Sequence, residues 1–255
     1  MEGPAGAVTT IDGKALAAVL FDLDGVLTPT AEIHERAWKA MFDDFLAARA
    51  DGAPWEPFGA DDYLAYVDGK RRVDGVRSFI ASRGIDLPEG TVDDEPGHGT
   101  VNGLGNAKNA AFQEVLRRDG IKPYPGSVRF LEALDRRGVP VGVVSSSRNA
   151  AEVLDAAGLA ERFAVVIDGN VAAARNLPGK PAPDTFLDAA AELGVAPART
   201  AVIEDAISGV AAGHAGGFAL TVGVDRGAGR DALLEHGADL VVDDLAELLS
   251  DGDDR

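Results

Sequence analysis

The sequence predicts an α/β protein: a doubly wound parallel sheet with a helical segment inserted after its first strand. Two observations carry that reading. From residue 128 onward, short runs rich in Val, Leu and Ile alternate with helix-period segments, the pattern of a parallel sheet wound by crossover helices. Between residues 32 and 119, by contrast, apolar residues recur at helical spacing with no convincing strand.

Taken in order, Met1 to Thr10 has Glu2 and no basic region, which makes a poor signal peptide and reads as a lead-in. Residues 1–13 and 251–255 are expected to be disordered tails. The apolar run Ala15 to Phe21 has the length and composition of a buried parallel strand. Ala31 to Arg49 places Trp38, Met41, Phe42, Phe45 and Leu46 at helical spacing, and further helices are expected over Asp62–Val67, Val73–Ser82 and Asn106–Arg118. Pro88 to Gly105 is expected to be a long flexible connector, because its glycines lack the G-K-[S/T] ending of a phosphate loop. Then come a helix (Val128–Arg137), a strand (Val139–Val144), a helix (Ala150–Ala157), a strand (Phe163–Ile167) and a helix (Asp184–Leu193). The strand Thr200–Ile203 and the helix Ala206–Ala215 follow, then the strand Phe218–Val222 and the helix Ala228–His236. Leu240–Val242 and Asp244–Leu249 close the series as strand and helix. The whole is a Rossmann-like core of residues 14–31 and 120–250 with a helical cap over 32–119. Insertions at the ligand-binding edge of such a sheet can act as lids.

Composition narrows the function. A net charge of −18 argues against a nucleic-acid surface, although a few local cations can still hold a phosphorylated small molecule. No run of apolar residues is long enough to span a membrane. The absence of cysteine excludes disulfides and thiolate metal sites and fits a cytoplasmic protein.

The chemistry gathers at predicted strand ends. Val19-Leu20-Phe21-Asp22-Leu23-Asp24-Gly25 puts two carboxylates one residue apart just past the first strand. Carboxylates that close repel unless a cation or proton separates them, so the spacing suggests a metal site, an aspartyl nucleophile beside an acid/base, or both. A bland alternative is an acidic turn. The strand ending at Val144 runs into Ser145-Ser146-Ser147-Arg148-Asn149, whose hydroxyls and N–H groups can cradle an oxyanion or simply cap a helix. Glu204-Asp205 is a second acidic pair at the same edge, also explicable by the helix dipole alone. Lys180 sits in Gly179-Lys180-Pro181-Ala182-Pro183-Asp184, where prolines fix the backbone around it. Oxygen-only acidic ligands without a His or Cys cluster favour Mg²⁺. A carboxylate nucleophile, a hard cation and a lysine are the parts that transfer a phosphoryl group through an aspartyl phosphate.

These four motifs, in this order and with a cap insertion, resemble the haloacid dehalogenase superfamily of phosphotransferases, over nearly the whole chain from Leu20 to Val242. Within it the pattern is closest to the β-phosphoglucomutase group, through D-L-D-G-V-L-T-P-T-A-E-I-H-E-R-A-W-K (22–39), D-G-K-R-R-V-D (68–74), K-N (108–109), Y-P-G (124–126), V-S-S-S-R-N (144–149), G-K-P-A-P-D (179–184) and E-D (204–205). The resemblance implies a nucleophile at Asp22 and a general acid/base at Asp24. It implies Mg²⁺ on Asp22, the backbone carbonyl of Asp24, Glu204 and Asp205, with Ser145 and Lys180 on the transferring phosphoryl. Thr30, His34 and Lys108 would link cap closure to Asp24, and Arg72 with Ser147, Arg148 and Asn149 would hold a second phosphate. Pro29 stands where the pattern has an acidic residue, and the segments 88–105 and 170–179 look longer than in compact members. On residues alone, His34 is as well explained as a packed helix histidine, and Lys108 as a side chain lying along an apolar face.

The activity so implied is a mutase interconverting β-glucose 1-phosphate and glucose 6-phosphate through glucose 1,6-bisphosphate, as a cytoplasmic monomer downstream of a disaccharide phosphorylase. The alternative is a sugar-phosphate phosphatase on the same core. A phospho-receiver shares the Asp, Mg²⁺, Ser/Thr and Lys parts, but needs neither the helical insertion nor the second aspartate of D-x-D.

Overall fold

A computed structural model describes residues 8–250. The chain divides into two compact units, one holding the chain up to Pro29 and from Lys122 onward, the other Thr30–Ile121.

The first unit opens with a hairpin of β1 (Thr9–Ile11) and β2 (Lys14–Leu16), then β3 (Ala18–Phe21). This corrects two expectations. The run Ala15 to Phe21 is not one strand, and of the expected tail 1–13, residues 9–11 are a strand; 1–7 and 251–255 lie outside the described residues. The missed signal is Asp12-Gly13, both at positive φ (49° and 73°), a two-residue turn between short apolar runs.

The second unit is helical: α1 (Thr30–Ala50), α2 (Ala60–Asp62) running into a π-helical turn (Tyr63–Val67), α3 (Arg72–Ser82) and α4 (Val101–Asp119). Its core is aromatic. Phe42 meets Trp38, Phe58 and Phe79 at centroid distances of 5.3, 5.1 and 4.1 Å. The expected connector 88–105 is shorter than predicted, because Thr100 caps α4 by accepting from the N–H of Gly103 at 2.9 Å. Nor is it loosely tied: Asp94 accepts from the hydroxyls of Thr91 and Thr100 at 2.8 and 2.5 Å, and Asn106 donates to the carbonyls of Val92 and Asp94.

The chain returns through α5 (Pro125–Arg136), β4 (Val141–Val144), α6 (Ala150–Ala156), β5 (Val165–Ile167), α7 (Gly169–Ala174) and α8 (Asp184–Glu192). It ends in β6 (Thr200–Glu204), α9 (Ile207–Ala215), β7 (Leu220–Val224), α10 (Arg230–Glu235), β8 (Leu240–Val242) and a 3₁₀ turn (Leu245–Leu248). Helix α7 lies partly in what read as a loop. It forms because Asp168 caps it, accepting from the N–H groups of Asn170 and Val171.

Six parallel strands lie in the order β5-β4-β3-β6-β7-β8. Both faces are covered, as a parallel sheet requires. Leu20 joins Phe186, Ala189 and Ala190 of α8 on one face, while the next residue, Phe21, meets Phe130 of α5 and Phe163 on the other, at 6.0 and 6.3 Å. The chain leaves β3 toward β4 and β5, then crosses back to β6 on the other side of β3. Ligands bind outside the carboxyl ends of strands at such a switch point.

Candidate active site

The switch point lies between the ends of β3 and β6, and the acidic residues are there. The ladder extends one residue beyond β3, since the N–H of Asp22 donates to the carbonyl of Ile203 at 2.9 Å. Asp22, Glu204 and Asp205 are all buried, and one carboxylate oxygen of each lies within 4.8 Å of the others. Glu204 is the last residue of β6 rather than the first beyond it. Its Oε2 turns back to accept from the N–H groups of Asp205 and Ala206, each at 3.0 Å.

Lys180 comes from the crossover between β5 and β6. Its ammonium donates to Asp22 Oδ1 at 2.5 Å, Glu204 Oε1 at 2.5 Å and the carbonyl of Val144 at 3.1 Å. All three of its N–H bonds therefore have acceptors, as a buried ammonium needs.

Two glycines make room for this arrangement. A Cβ on Gly25, which has φ of +87°, would overlap Oδ2 of Asp205, and one on Gly209 would overlap the carboxylate of Glu204.

The electrostatics follow from having one ammonium among several carboxylates. Burial pushes the Asp22 carboxyl well above its ordinary value; Lys180 pulls it down, while Glu204 and Asp24 add to the rise. Burial alone would lower Lys180, but Asp22 and Glu204 hold it protonated, above its ordinary value. The pocket thus has surplus negative charge and hard oxygen donors, which fits a small divalent cation such as Mg²⁺.

Asp24 is half-buried and receives a long hydrogen bond, 3.4 Å, from the hydroxyl of Ser145. The N–H of Ser145 donates to the carbonyl of Ile167, which fixes it beside β5. The following serines order the turn: Ser145 Oγ accepts from the N–H of Ser147, and Ser147 Oγ from the N–H of Asn149, each at 3.1 Å. Arg148 stays exposed and Asn149 is buried.

The remaining predicted residues belong to the helical unit. Thr30 is the buried first residue of α1. Lys108 does not reach along an apolar face to solvent. It is buried, its ammonium contacts His34 Nδ1, and it lies 5.0 and 5.2 Å from the ring centres of Trp38 and Phe112. His34 stacks on Phe112 at 4.0 Å. Arg72 opens α3, and its Cγ lies where a Cβ on Gly105 would press. Gly105 precedes Lys108 by three, one turn away on the same face of α4. Arg71 is committed elsewhere, to Asp74 at 2.5 Å.

Sequence reasoning missed one arginine at the catalytic edge. Arg226, just past β7, donates from Nε to the carbonyl of Gly25 at 2.9 Å. Its signal was its place after the fifth apolar strand run, in Asp225-Arg226-Gly227, at the edge that already held the acids.

A doubly wound sheet with an aspartate pair, a serine-capped turn, a buried lysine and a second acidic pair at its switch point defines a phosphotransferase core. The chain belongs to the haloacid dehalogenase-like hydrolase family, which matches residues 16–217. It is 54% identical over 239 residues to a β-phosphoglucomutase of Mycobacterium bovis, covering 91% of each chain. It is 34% identical over 236 residues to that of Bacillus subtilis, covering 90% of this chain and 94% of that one. Among solved structures, the β-phosphoglucomutase of Clostridium difficile has the same fold, with a TM-score of 0.73, 24% identity, and coverage of 92% and 93%. No helix of the described residues is long and apolar enough to cross a membrane.

Proposed function

We propose that the protein is a phosphosugar mutase that interconverts β-glucose 1-phosphate and glucose 6-phosphate. The observation that carries the phosphoryl-transfer chemistry is the buried Asp22 carboxylate held at 2.5 Å by Lys180, at the end of β3 and among the carboxylates of Glu204 and Asp205. The 54% identity to a β-phosphoglucomutase supports the choice of sugar.

In the first half-reaction, the 6-hydroxyl of β-glucose 1-phosphate attacks phosphorus on phospho-Asp22. Its proton passes to Asp24, and the bond from phosphorus to the Asp22 oxygen breaks. The resulting glucose 1,6-bisphosphate reorients. Asp22 then attacks the 1-phosphoryl group, the bond to the sugar O1 breaks, and Asp24 returns its proton to that oxygen. Lys180 and Ser145 orient the phosphoryl group and oppose its charge. The side chains of Asp22, Glu204 and Asp205 and the backbone carbonyl of Asp24 would hold Mg²⁺, which would supply further positive charge against the transferring oxygens. Arg72, Ser147, Arg148 and Asn149 are assigned to the non-reacting phosphate. Thr30, His34 and Lys108 are assigned to setting Asp24 for proton transfer. We read the enzyme as a cytoplasmic monomer that takes the product of a disaccharide phosphorylase.

Phosphoryl trapping tests this reading. Brief treatment with glucose 1,6-bisphosphate and acid quenching should leave one phosphoryl group on the peptide carrying Asp22. Asp22→Asn should abolish both the label and turnover. Labelling at another residue, or full mutase activity in Asp22→Asn, would contradict the covalent mechanism.

A further inference from the structure

The segment Tyr124-Pro125-Gly126 and the loop after β7 meet at the back of the catalytic turn, and no step above uses them. Arg226 makes three contacts there. Its Nε donates to the carbonyl of Gly25, Nη1 donates to the carbonyl of Asp243, both at 2.9 Å, and the guanidinium lies 4.0 Å from the ring centre of Tyr124. Its Nη2 is buried with no oxygen partner, a position tolerable against an aromatic face. Tyr124 is itself tied to the turn, its N–H donating to the carbonyl of Leu27 at 2.9 Å. Pro125 starts α5 where its missing N–H costs nothing. Gly126 leaves room for Asp244, which caps the last 3₁₀ turn.

We propose that Arg226, seated on Tyr124, is a positioning residue that sets the catalytic turn against Asp205 and so tunes the cation site. Gly25 is held from both ends: its N–H donates to the carbonyl of Thr28 at 2.8 Å, and its carbonyl accepts from Arg226. The Asp205 carboxylate occupies the space that a Gly25 Cβ would fill, so the placement of this one peptide bears on where Asp205 stands beside Asp22 and Glu204. A fork-shaped guanidinium can serve the carbonyls of Gly25 and Asp243 at once, which a single ammonium does less well. The inference rests on the reading of Asp22, Glu204 and Asp205 as a cation site.

The sign of the effect separates positioning from charge. Deleting a nearby positive charge should by itself tighten binding of a cation. Losing the position of Asp205 should weaken it, and outer-shell partners typically control metal affinity by about 10–100-fold. Mg²⁺ is titrated against the thermal unfolding midpoint, and in parallel against turnover, for the wild type, Arg226→Ala, Arg226→Lys and Arg230→Ala. Arg230 donates to the carbonyl of Val241 at 2.5 Å and braces the same strand end without a contact to Gly25. Arg226→Ala should need about ten times more Mg²⁺, or beyond, for half its thermal shift, with kcat lowered and the substrate KM little changed. Arg226→Lys should recover part of this, and Arg230→Ala should lower the midpoint while keeping the wild-type Mg²⁺ response. An unchanged or tighter Mg²⁺ response in Arg226→Ala, or an equal loss in Arg230→Ala, overturns the proposal. A wild-type protein that neither responds to Mg²⁺ nor transfers phosphoryl removes the reading of the site itself.

Discussion

Neighbouring arginines of the same type can differ in what they touch. Arg71 is held by Asp74, which also accepts from Arg77, whereas Arg72 packs along Gly105 on the face of α4 that carries Lys108. Arg72 is the arginine assigned above to the non-reacting phosphate. Arg72→Ala should cut conversion of β-glucose 1-phosphate while sparing hydrolysis of a small aryl phosphate, which has no second phosphate to hold. Losing a charge-assisted contact of about 1.5–3 kcal/mol lowers the rate by roughly one to two decades. Arg71→Ala should fall short of that. Parallel steady-state assays on both substrates check the split, and equal effects from the two variants would contradict it. At this scale Asp22, Asp24, Lys180, Glu204 and Asp205 were legible in the sequence because each adjoins a strand end or a rigid proline turn. Arg226 was not, since a lone arginine in a loop has no spacing that reveals its acceptor.

At the scale of elements, the glycines in α9 and α4 reverse an ordinary expectation. Replacing an interior helix glycine with alanine usually stabilises by about 0.5–1 kcal/mol. In α9, Gly209→Ala should instead destabilise, because the methyl group would overlap a Glu204 carboxylate already fixed by Lys180 and two backbone N–H groups. Thermal unfolding with and without Mg²⁺ measures this; a raised midpoint with an intact Mg²⁺ shift would contradict it. The start of α4 was misread because Gly103 and Gly105 look like loop residues, while Thr100, the cap that starts the helix, is visible only once Gly103 is placed above it. The connector before α4 has its own pH signature. Hydrogen bonds from Thr100 first, and Thr91 second, hold the Asp94 carboxyl below its ordinary value. Its pKa is lower folded than unfolded, so its stabilisation is present above the unfolded value and lost as pH falls through the folded one. Asp94→Asn should thus be less stable than wild type near neutral pH and converge with it in acid. Denaturant unfolding across that range would show the convergence, and a gap that stayed constant would assign the loss to something other than the charge.

On the scale of the molecule, a chain of net charge −18 concentrates an anion's chemistry around the buried Lys180 and the cation that the surplus carboxylates beside it can hold. The alternation of strands and helices after residue 128 was plain because parallel strands buried on both faces are continuous apolar runs. Strand ends were less plain: the hydrogen-bond ladder, not hydrophobicity, decides that β6 runs on to include the charged Glu204. The amino-terminal hairpin was missed because three-residue strands are too short for periodicity to show. Phosphatase and mutase would share every contact around Asp22, so the deciding property is what discharges the aspartyl phosphate. Phosphorus NMR of the Mg²⁺-loaded enzyme with β-glucose 1-phosphate, primed with glucose 1,6-bisphosphate, reads this directly. The account predicts that glucose 6-phosphate replaces the starting signal while inorganic phosphate stays minor; inorganic phosphate as the main product would contradict it.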